Sequence, residues 1–588
     1  MRNSEKLKPV SGYWFTIKQG VRGLIREPAF YIYLIAVAIY LPWFLPNLRD
    51  IAPWDETYYL ISGVNLLGGQ MRVLADSPLY SWFAALTILP FRSSPFWLIH
   101  ANSLGRFLLF SFVFLGTWQV AKALKDLFNP VILFGFVFLT PLLMQNFEYP
   151  ADPMFAALSA IGFSQAVYFV KSKQIKHLWW ASFWMGLGML TRGDAMIIIA
   201  GLTVFVIWIG WKHHAWWRLA MAALVPFMTL TYGYVLLRGA VHGNFETGIS
   251  DRSYVAFEQG QEVDLPEGEA RFGAPTESYY VARELFGTPE ENNHSVFRAI
   301  ARNPQAYSRR LVNVLRSLPG LFLTAYFRRY TIFIALLAFR GLVALVQQKK
   351  LPLAVLHLIW MLPLSAGIAR TLVRVGYFRV FFFALFSLAI IGLKALLDNL
   401  NKNNECLIWG GVLGSILILG LWQGEGAIML SMIVFLSWLI LTLLMSKRTD
   451  DLPHWQTHSM LLLFAAALLL HGPFMTYSPR VLGESPQEAA SLALREVTEP
   501  DDFVLTCTPS VVFLAERNVA NFCAPDIPHF ENSTDFIIWM AAQDFKAIYL
   551  DATSPRFLLD ISLEQSGQAL TQVYAAQGNQ IFLLDYDG

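Results

Sequence analysis

Acidic side chains are costly at the edge of a membrane, so those beside long apolar runs are the first candidates for a reactive site. Pro53-Trp54-Asp55-Glu56-Thr57-Tyr58-Tyr59 is one such stretch. Pro53 and Asp55 suit the first turn of a helix, and Tyr59, Ser62, Asn65 and Leu66 follow at helical spacing. Adjacent helical positions point about 100° apart, so Asp55 and Glu56 cannot both face one reacting atom. One could act as a base while the other caps the helix, or both could simply be charges favoured by the helix dipole. Glu148-Tyr149-Pro150-Ala151-Asp152-Pro153 sets two more carboxylates in a short turn, although Asp152 before Pro153 also fits an N-cap. Thr191-Arg192-Gly193-Asp194 is a third polar turn, and Arg370, Arg374, Tyr377 and Arg379 form a basic group. Carboxylates that can take a proton thus accompany guanidiniums that can hold phosphate oxygens in a bidentate grip.

Composition says what must position these groups. The chain has 588 residues, 55% of them hydrophobic and only 15% charged, with a mean hydropathy of +0.45. A soluble domain carries about 25% charge, so this chain cannot wet its own surface. That excludes a soluble enzyme, a disordered chain and a nucleic-acid binder. Three cysteines exclude a disulfide scaffold.

About thirteen apolar runs are long enough to cross the bilayer as helices. They lie near Phe30–Leu48, Ile99–Val120, Pro130–Met144, Met154–Val170, Leu178–Leu190, Met196–Trp211, Trp217–Leu237, Tyr330–Val346, Leu351–Ile368, Phe378–Leu397, Leu407–Trp422, Ala427–Met445 and Met460–Leu470. The expected fold is mostly α: a polytopic membrane protein with external juxtamembrane helices and a C-terminal soluble α/β domain. Residues 1–29 form a cytoplasmic segment, 30–471 the membrane domain with external loops 49–98 and 238–329, and 472–588 the terminal domain.

Arg2, Lys6, Lys8, Lys18, Arg22 and Arg26 place the N-terminus in the cytoplasm by the positive-inside rule. Every second short loop is then basic: Lys122 with Lys125; Lys171, Lys173 and Lys176; Lys212 with Arg218; Lys349 with Lys350; Lys394 with Lys402; Lys447 with Arg448. The opposite loops lack lysine, and Lys546 lies in the long terminal stretch, which escapes the rule. An odd number of spans leaves that stretch outside. There Gln487–Val497 reads as a helix and Phe503–Thr506, Ala547–Leu550 and Ile581–Leu584 as strands. Cys507 and Cys523 are either disulfide-bonded across a short loop or buried thiols. In the middle external segment, Asn244–Asn293 is polar and acidic. Val296–Leu318 follows, with apolar residues at helical spacing beside Arg298, Arg302, Arg309, Arg310 and Arg316. It reads as an amphipathic helix on the membrane face, its arginines toward lipid phosphates.

The order of one span, an Asp-Glu-Thr-x-Tyr loop and Ser77-Pro78-Leu79-Tyr80-Ser81-Trp82 resembles the polyprenyl-phosphate-dependent C-type membrane glycosyltransferases. Within them it is similar to the aminoarabinose lipid A transferase and protein O-mannosyltransferase-like group. The acidic turn at Glu148, the Leu-Thr-Arg-Gly turn at Leu190 and Gly376-Tyr377-Phe378-Arg379 resemble later landmarks of that group. The resemblance implies transfer of a sugar from a polyprenyl-phosphate donor to a lipid, glycan or protein hydroxyl at the outer face of a bacterial inner membrane. It makes Asp55 the general base, with Glu56, Tyr59, Glu148, Asp152, Arg192, Asp194, Arg370, Arg374, Tyr377 and Arg379 around the substrates. The phosphate leaves as a stable anion, so arginines replace a general acid. Where the aminoarabinose transferases have Glu-Lys-Pro, this chain has Ala75-Asp76-Ser77-Pro78, so the resemblance names neither sugar nor acceptor.

Two other functions fit the same compartment. A transporter or flippase would bind near the midplane and often shows internal repeats, whereas no repeat is evident and the acidic groups gather at one face. A polymerase or ligase of the O-antigen type would take diphosphate-linked glycans and needs no acidic first loop. No cofactor is implied, and a divalent metal stays open: His242, Glu246 and His294 share a loop at spacings that match no ligand pattern.

Overall fold

A computed structural model describes residues 55–69, 77–92, 97–128, 151–211, 215–243, 248–265, 274–325, 331–399 and 486–585, apart from a few positions within these stretches, and some isolated positions elsewhere. The expected first, third, eleventh, twelfth and thirteenth spans lie wholly or mainly outside the described residues.

The helical part runs α1 Asp55–Leu67, α2 Pro78–Ile88, α3 Trp97–Ala123, α4 Ala151–Ser172, α5 Ile175–Met189, α6 Ala195–Gly210, α7 Trp216–His242, α8 Ile249–Gln259, α9 Ala274–Phe286, α10 Val296–Arg302, α11 Pro304–Ala325, α12 Thr331–Gln347, α13 Leu351–Met361, α14 Pro363–Ala369, α15 Val375–Arg379 and α16 Phe382–Asn399. Expected spans that fall on described residues coincide with apolar helices to within a few residues, except that Leu351–Ile368 comprises α13 and α14, divided at Leu362. Among the described residues, four helical stretches are long and apolar enough to cross a membrane: His100–Ala123, Ala151–Ser172, Trp216–His242 and Leu351–Ala369.

Apolar helices in lipid gain little from hiding hydrocarbon from one another, so close packing depends on small residues. Gly116 of α3 sits against Ala157 and Ala160 of α4, where a Cβ would come within 2.8 Å of the Ala157 carbonyl. On α12 and α16, Gly341 and Gly392 face each other so closely that a Cβ on either would strike the other helix's backbone. Helix α4 is buried along most of its length. Pro226 lies inside α7, which continues through it. There Ser182 of α5 enters the helix, donating to the Ala223 carbonyl and accepting from Phe227 N at 3.1 Å.

In secondary structure the middle segment differs from expectation in one respect. The polar stretch Asn244–Asn293 contains α8 and α9, but Val296–Leu318 is two helices instead of one. The break falls at Asn303, whose φ of −141° leaves the helical region, because a residue before proline is pushed out of it. Arg298, Arg302, Arg309 and Arg316 are exposed, but Arg310 is fully buried and faces protein, not lipid.

The terminal domain comprises α17 Pro486–Val497, β1 Phe503–Thr506, α18 Pro509–Leu514, β2 Asn518–Asn521, α19 Ser533–Ala542, β3 Phe545–Leu550, α20 Arg556–Glu564, β4 Leu570–Ala576 and β5 Asn579–Leu584. The sheet order is β2-β1-β3-β5-β4, parallel between β2, β1 and β3 and antiparallel between β3, β5 and β4. One face packs on α17 and α18, the other on α19 and α20. The expected strands are the central three. The two edge strands carry exposed polar residues and lack the buried apolar run that marks a strand in a sequence. Cys507 and Cys523 form a disulfide.

Candidate functional site

Helix α4 begins with Asp152 in its first turn, where the helix dipole favours a carboxylate. The tight turn between α5 and α6 brings Arg192 beside it. Arg192 forms an ion pair with Asp152 and donates from Nε to Asp194 Oδ2 at 2.9 Å. Its Nη2 lies 2.7 Å from the same Asp194 oxygen. Burial opposes the charge on Arg192, but Asp152 and Asp194 outweigh it and hold its pKa well above the usual guanidinium range. The guanidinium also lies 5.3 Å from the centre of the Tyr377 ring, a cation–π contact.

The basic group arrives from the other side. Arg370 reaches Asp194 Oδ1 at 3.7 Å and Arg374 reaches Glu262 Oε2 at 3.7 Å. Both distances exceed a hydrogen bond, so neither guanidinium is locked to its carboxylate; Arg370 Nε donates to the Ala366 carbonyl at 3.1 Å, which leaves its Nη groups to meet a further anion. Gly376 abuts Asp152: a Cβ there would stand 3.4 Å from Asp152 Oδ2. Asp152, Arg192, Asp194, Arg370 and Tyr377 thus form one contiguous cluster at one end of the bundle. Lys171, at the other end of α4, pairs with Asp126, and Lys394 donates to the Leu127 carbonyl there.

Helix α1 is tied to the same cluster through Ser77. Its hydroxyl donates to the Thr191 carbonyl and lies 3.4 Å from the Tyr59 hydroxyl. Leu79 N donates to the Leu190 carbonyl at 3.0 Å. Tyr59 packs edge-on against Tyr80 at 5.2 Å. A buried serine with φ of 55° is an uncommon backbone state, of the kind seen where surroundings over-determine a turn. The helix that starts at Asp55 is therefore anchored one turn later, at Tyr59, to the turn carrying Arg192.

Of the residues singled out from sequence, Asp152, Arg192, Asp194, Arg370, Tyr377 and Tyr59 are joined directly or through Ser77, while Arg374 stands apart on Glu262. Glu148 and the side chains of Asp55, Glu56 and Arg379 lie outside the described residues. The sequence reading missed Ser77 as a link, the buried Arg310, and Arg106 and Arg238, which are 8% exposed within α3 and near the end of α7. An arginine inside an apolar run was the available signal for Arg106. Among the described residues no group of three His, Cys, Asp or Glu could hold a metal ion.

No protein-family model matches the sequence, and no curated protein matches it at a significant level. Solved structures do resemble the fold. ArnT from Cupriavidus metallidurans bound to undecaprenyl phosphate aligns at 13% identity and a TM-score of 0.52, covering 95% of this chain and 99% of that one. The apo state of the same protein gives 14% and 0.50, over 95% and 98%. The archaeal oligosaccharyltransferase AglB from Archaeoglobus fulgidus gives 13% and 0.49, over 95% of this chain and 74% of that one. The chain has the fold of the C-type membrane glycosyltransferases.

Proposed function

We propose that the protein is an integral-membrane glycosyltransferase. It moves a sugar from a polyprenyl phosphate to an acceptor hydroxyl of a lipid, glycan or protein at the outer face of a bacterial inner membrane. The observation that carries this reading is the cluster of Asp152, Arg192, Asp194, Arg370 and Tyr377 at the bundle end where α1 begins, in a fold shared with ArnT, whose structure holds undecaprenyl phosphate. The lysines at the opposite end support an outward-facing cluster.

In this mechanism Asp55 accepts the proton of the acceptor hydroxyl as its oxygen attacks the anomeric carbon. The new glycosidic bond forms while the anomeric bond to the phosphate oxygen breaks, and the phosphate leaves with the electron pair. Arg370 and Arg374, loosely paired at 3.7 Å, turn to the growing negative charge. Arg192 is committed to two carboxylates and shapes the site instead of binding the phosphate. Glu56, Tyr59, Glu148 and Arg379 complete the substrate surroundings.

Deletion of the gene, followed by mass spectrometry of envelope lipids and glycans, tests the reading. One sugar should vanish from its acceptor while its polyprenyl-phosphate form accumulates, and Asp55→Asn should not restore it. Full rescue by Asp55→Asn removes the base assignment. Substrate movement across reconstituted vesicles with no new glycosidic bond makes the protein a transporter.

A further inference from the structure

Arg310 has no solvent exposure, and its hydrogen-bond partners are all uncharged. Nε donates to Thr371 Oγ1 at 2.6 Å and Nη1 to Gln261 Oε1 at 3.2 Å. Nη2 donates to the Phe257 carbonyl at 2.6 Å, to the Arg370 carbonyl at 3.3 Å and to Thr371 Oγ1. The rings of Phe257 and Phe286 lie 4.3 and 5.2 Å from the guanidinium. Burial lowers its pKa to about 10, against the pull of Asp264, so it stays cationic at neutral pH. A buried cation is a poor device for stability alone, since a well-packed apolar residue often serves as well. A planar fork that holds several acceptors in fixed directions is something no apolar residue supplies.

We infer that Arg310 is a positioning residue that fixes the Arg370-Thr371 turn, and through it the two guanidiniums offered to the donor phosphate. Thr371 has φ of +57°, a costly state for a β-branched residue that persists only where the surroundings impose it. Arg310 grips both the hydroxyl of Thr371 and the carbonyl before it. Gly260 abuts the same contact: a Cβ there would stand 2.7 Å from the Arg370 carbonyl and from Thr371 Oγ1 and 2.9 Å from Arg310 Nη2. Tyr307, one turn earlier on α11, donates to the Ala369 carbonyl at 2.9 Å. The unit formed by α8, α9, α10 and α11 therefore acts as a template for the turn between α14 and α15. Arg370 and Arg374 leave that turn toward Asp194 and Glu262.

What those arginines bind rests on the function proposed above, whereas the positioning does not, and the test separates the two. Undecaprenyl phosphate is titrated onto the full-length protein in nanodiscs for wild type, Arg310→Lys, Gly260→Ala, Arg370→Gln, and Arg310→Lys and Gly260→Ala each combined with Arg370→Gln. Hydrogen exchange of residues 366–376 is followed in parallel. Arg310→Lys keeps the charge but loses the fork, and should weaken binding about tenfold or more while exchange at 369–374 accelerates. In the Arg370→Gln background it should add much less, because both changes disable the same contact. A purely structural role would give additive losses. Unchanged affinity and exchange in Arg310→Lys, or full additivity, overturns the inference. Gly260→Ala tests the same turn should Arg310→Lys not fold. If the wild type fails to bind undecaprenyl phosphate, the functional reading falls and the exchange measurement alone decides the positioning.

Discussion

Arg192 is held by Asp152 and Asp194 at once, each less than a fifth exposed. A cation in that position stabilises by neutralising two carboxylates that would otherwise repel each other in a poorly solvated corner. Arg192→Met should therefore cost about 3–5 kcal/mol, read as a lower melting temperature in detergent. Arg192→Lys should recover part of the loss, keeping the charge without the fork. Equal melting temperatures for wild type and Arg192→Met would show that Arg370, already 3.7 Å from Asp194, takes over both carboxylates. The sequence exposed these residues because each stands at the end of an apolar run. What it could not show is their pairing, since Asp152, Arg192 and Arg370 lie far apart along the chain. Nor could it separate a guanidinium locked between carboxylates from two that are loosely held, because that depends on distance.

At the scale of the elements, α7 carries Pro226 where a helix should be least tolerant of it. Proline supplies no backbone N–H and its ring crowds the preceding turn. Away from water each lost hydrogen bond must be replaced from within the protein. The bond that Pro226 cannot make would run to the Ala222 carbonyl; Ser182 serves the next pair along, bridging the Ala223 carbonyl and Phe227 N across the helix interface. Ser182→Ala should destabilise the α5–α7 contact by about 1–3 kcal/mol and speed hydrogen exchange at Phe227. Ser182→Thr, which keeps the hydroxyl, tests whether the bond or the volume matters. Exchange at Phe227 unchanged in Ser182→Ala would mean that the helix satisfies Phe227 N without Ser182. Apolar periodicity revealed α5 and α7 but not this bridge, because a serine in an apolar run looks the same whether it faces lipid or a helix. The same limit explains Val296–Leu318: the apolar spacing runs through Asn303-Pro304, while the backbone restriction at that dipeptide divides it.

Across the whole molecule, the terminal domain touches the helix that starts at Asp55. Asn521, at the end of β2, donates from Nδ2 to the Tyr58 hydroxyl at 2.8 Å, and its Oδ1 accepts from Cys523 N at 3.0 Å. Cys523 is bonded to Cys507, just beyond the end of β1, so the disulfide holds the loop that presents Asn521. Leu514 and Phe513 of the same domain join the main core of the bundle, and Tyr280 of α9 packs against the core of the domain. Removing a cross-link between residues 16 apart should lower the domain's stability by about 3 kcal/mol in the chain-entropy account. Cys507→Ser combined with Cys523→Ser should therefore lower the domain's melting temperature and, by loosening Asn521, speed hydrogen exchange along α1. Asn521→Ala should speed exchange along α1 while leaving the domain's melting temperature near that of wild type. The two variants separate a latch on α1 from general weakening of the fold. If α1 exchanges at the wild-type rate in Asn521→Ala, the hydrogen bond to Tyr58 does not restrain that helix, and the apolar contacts through Leu514, Phe513 and Tyr280 couple the domain to the helical part instead.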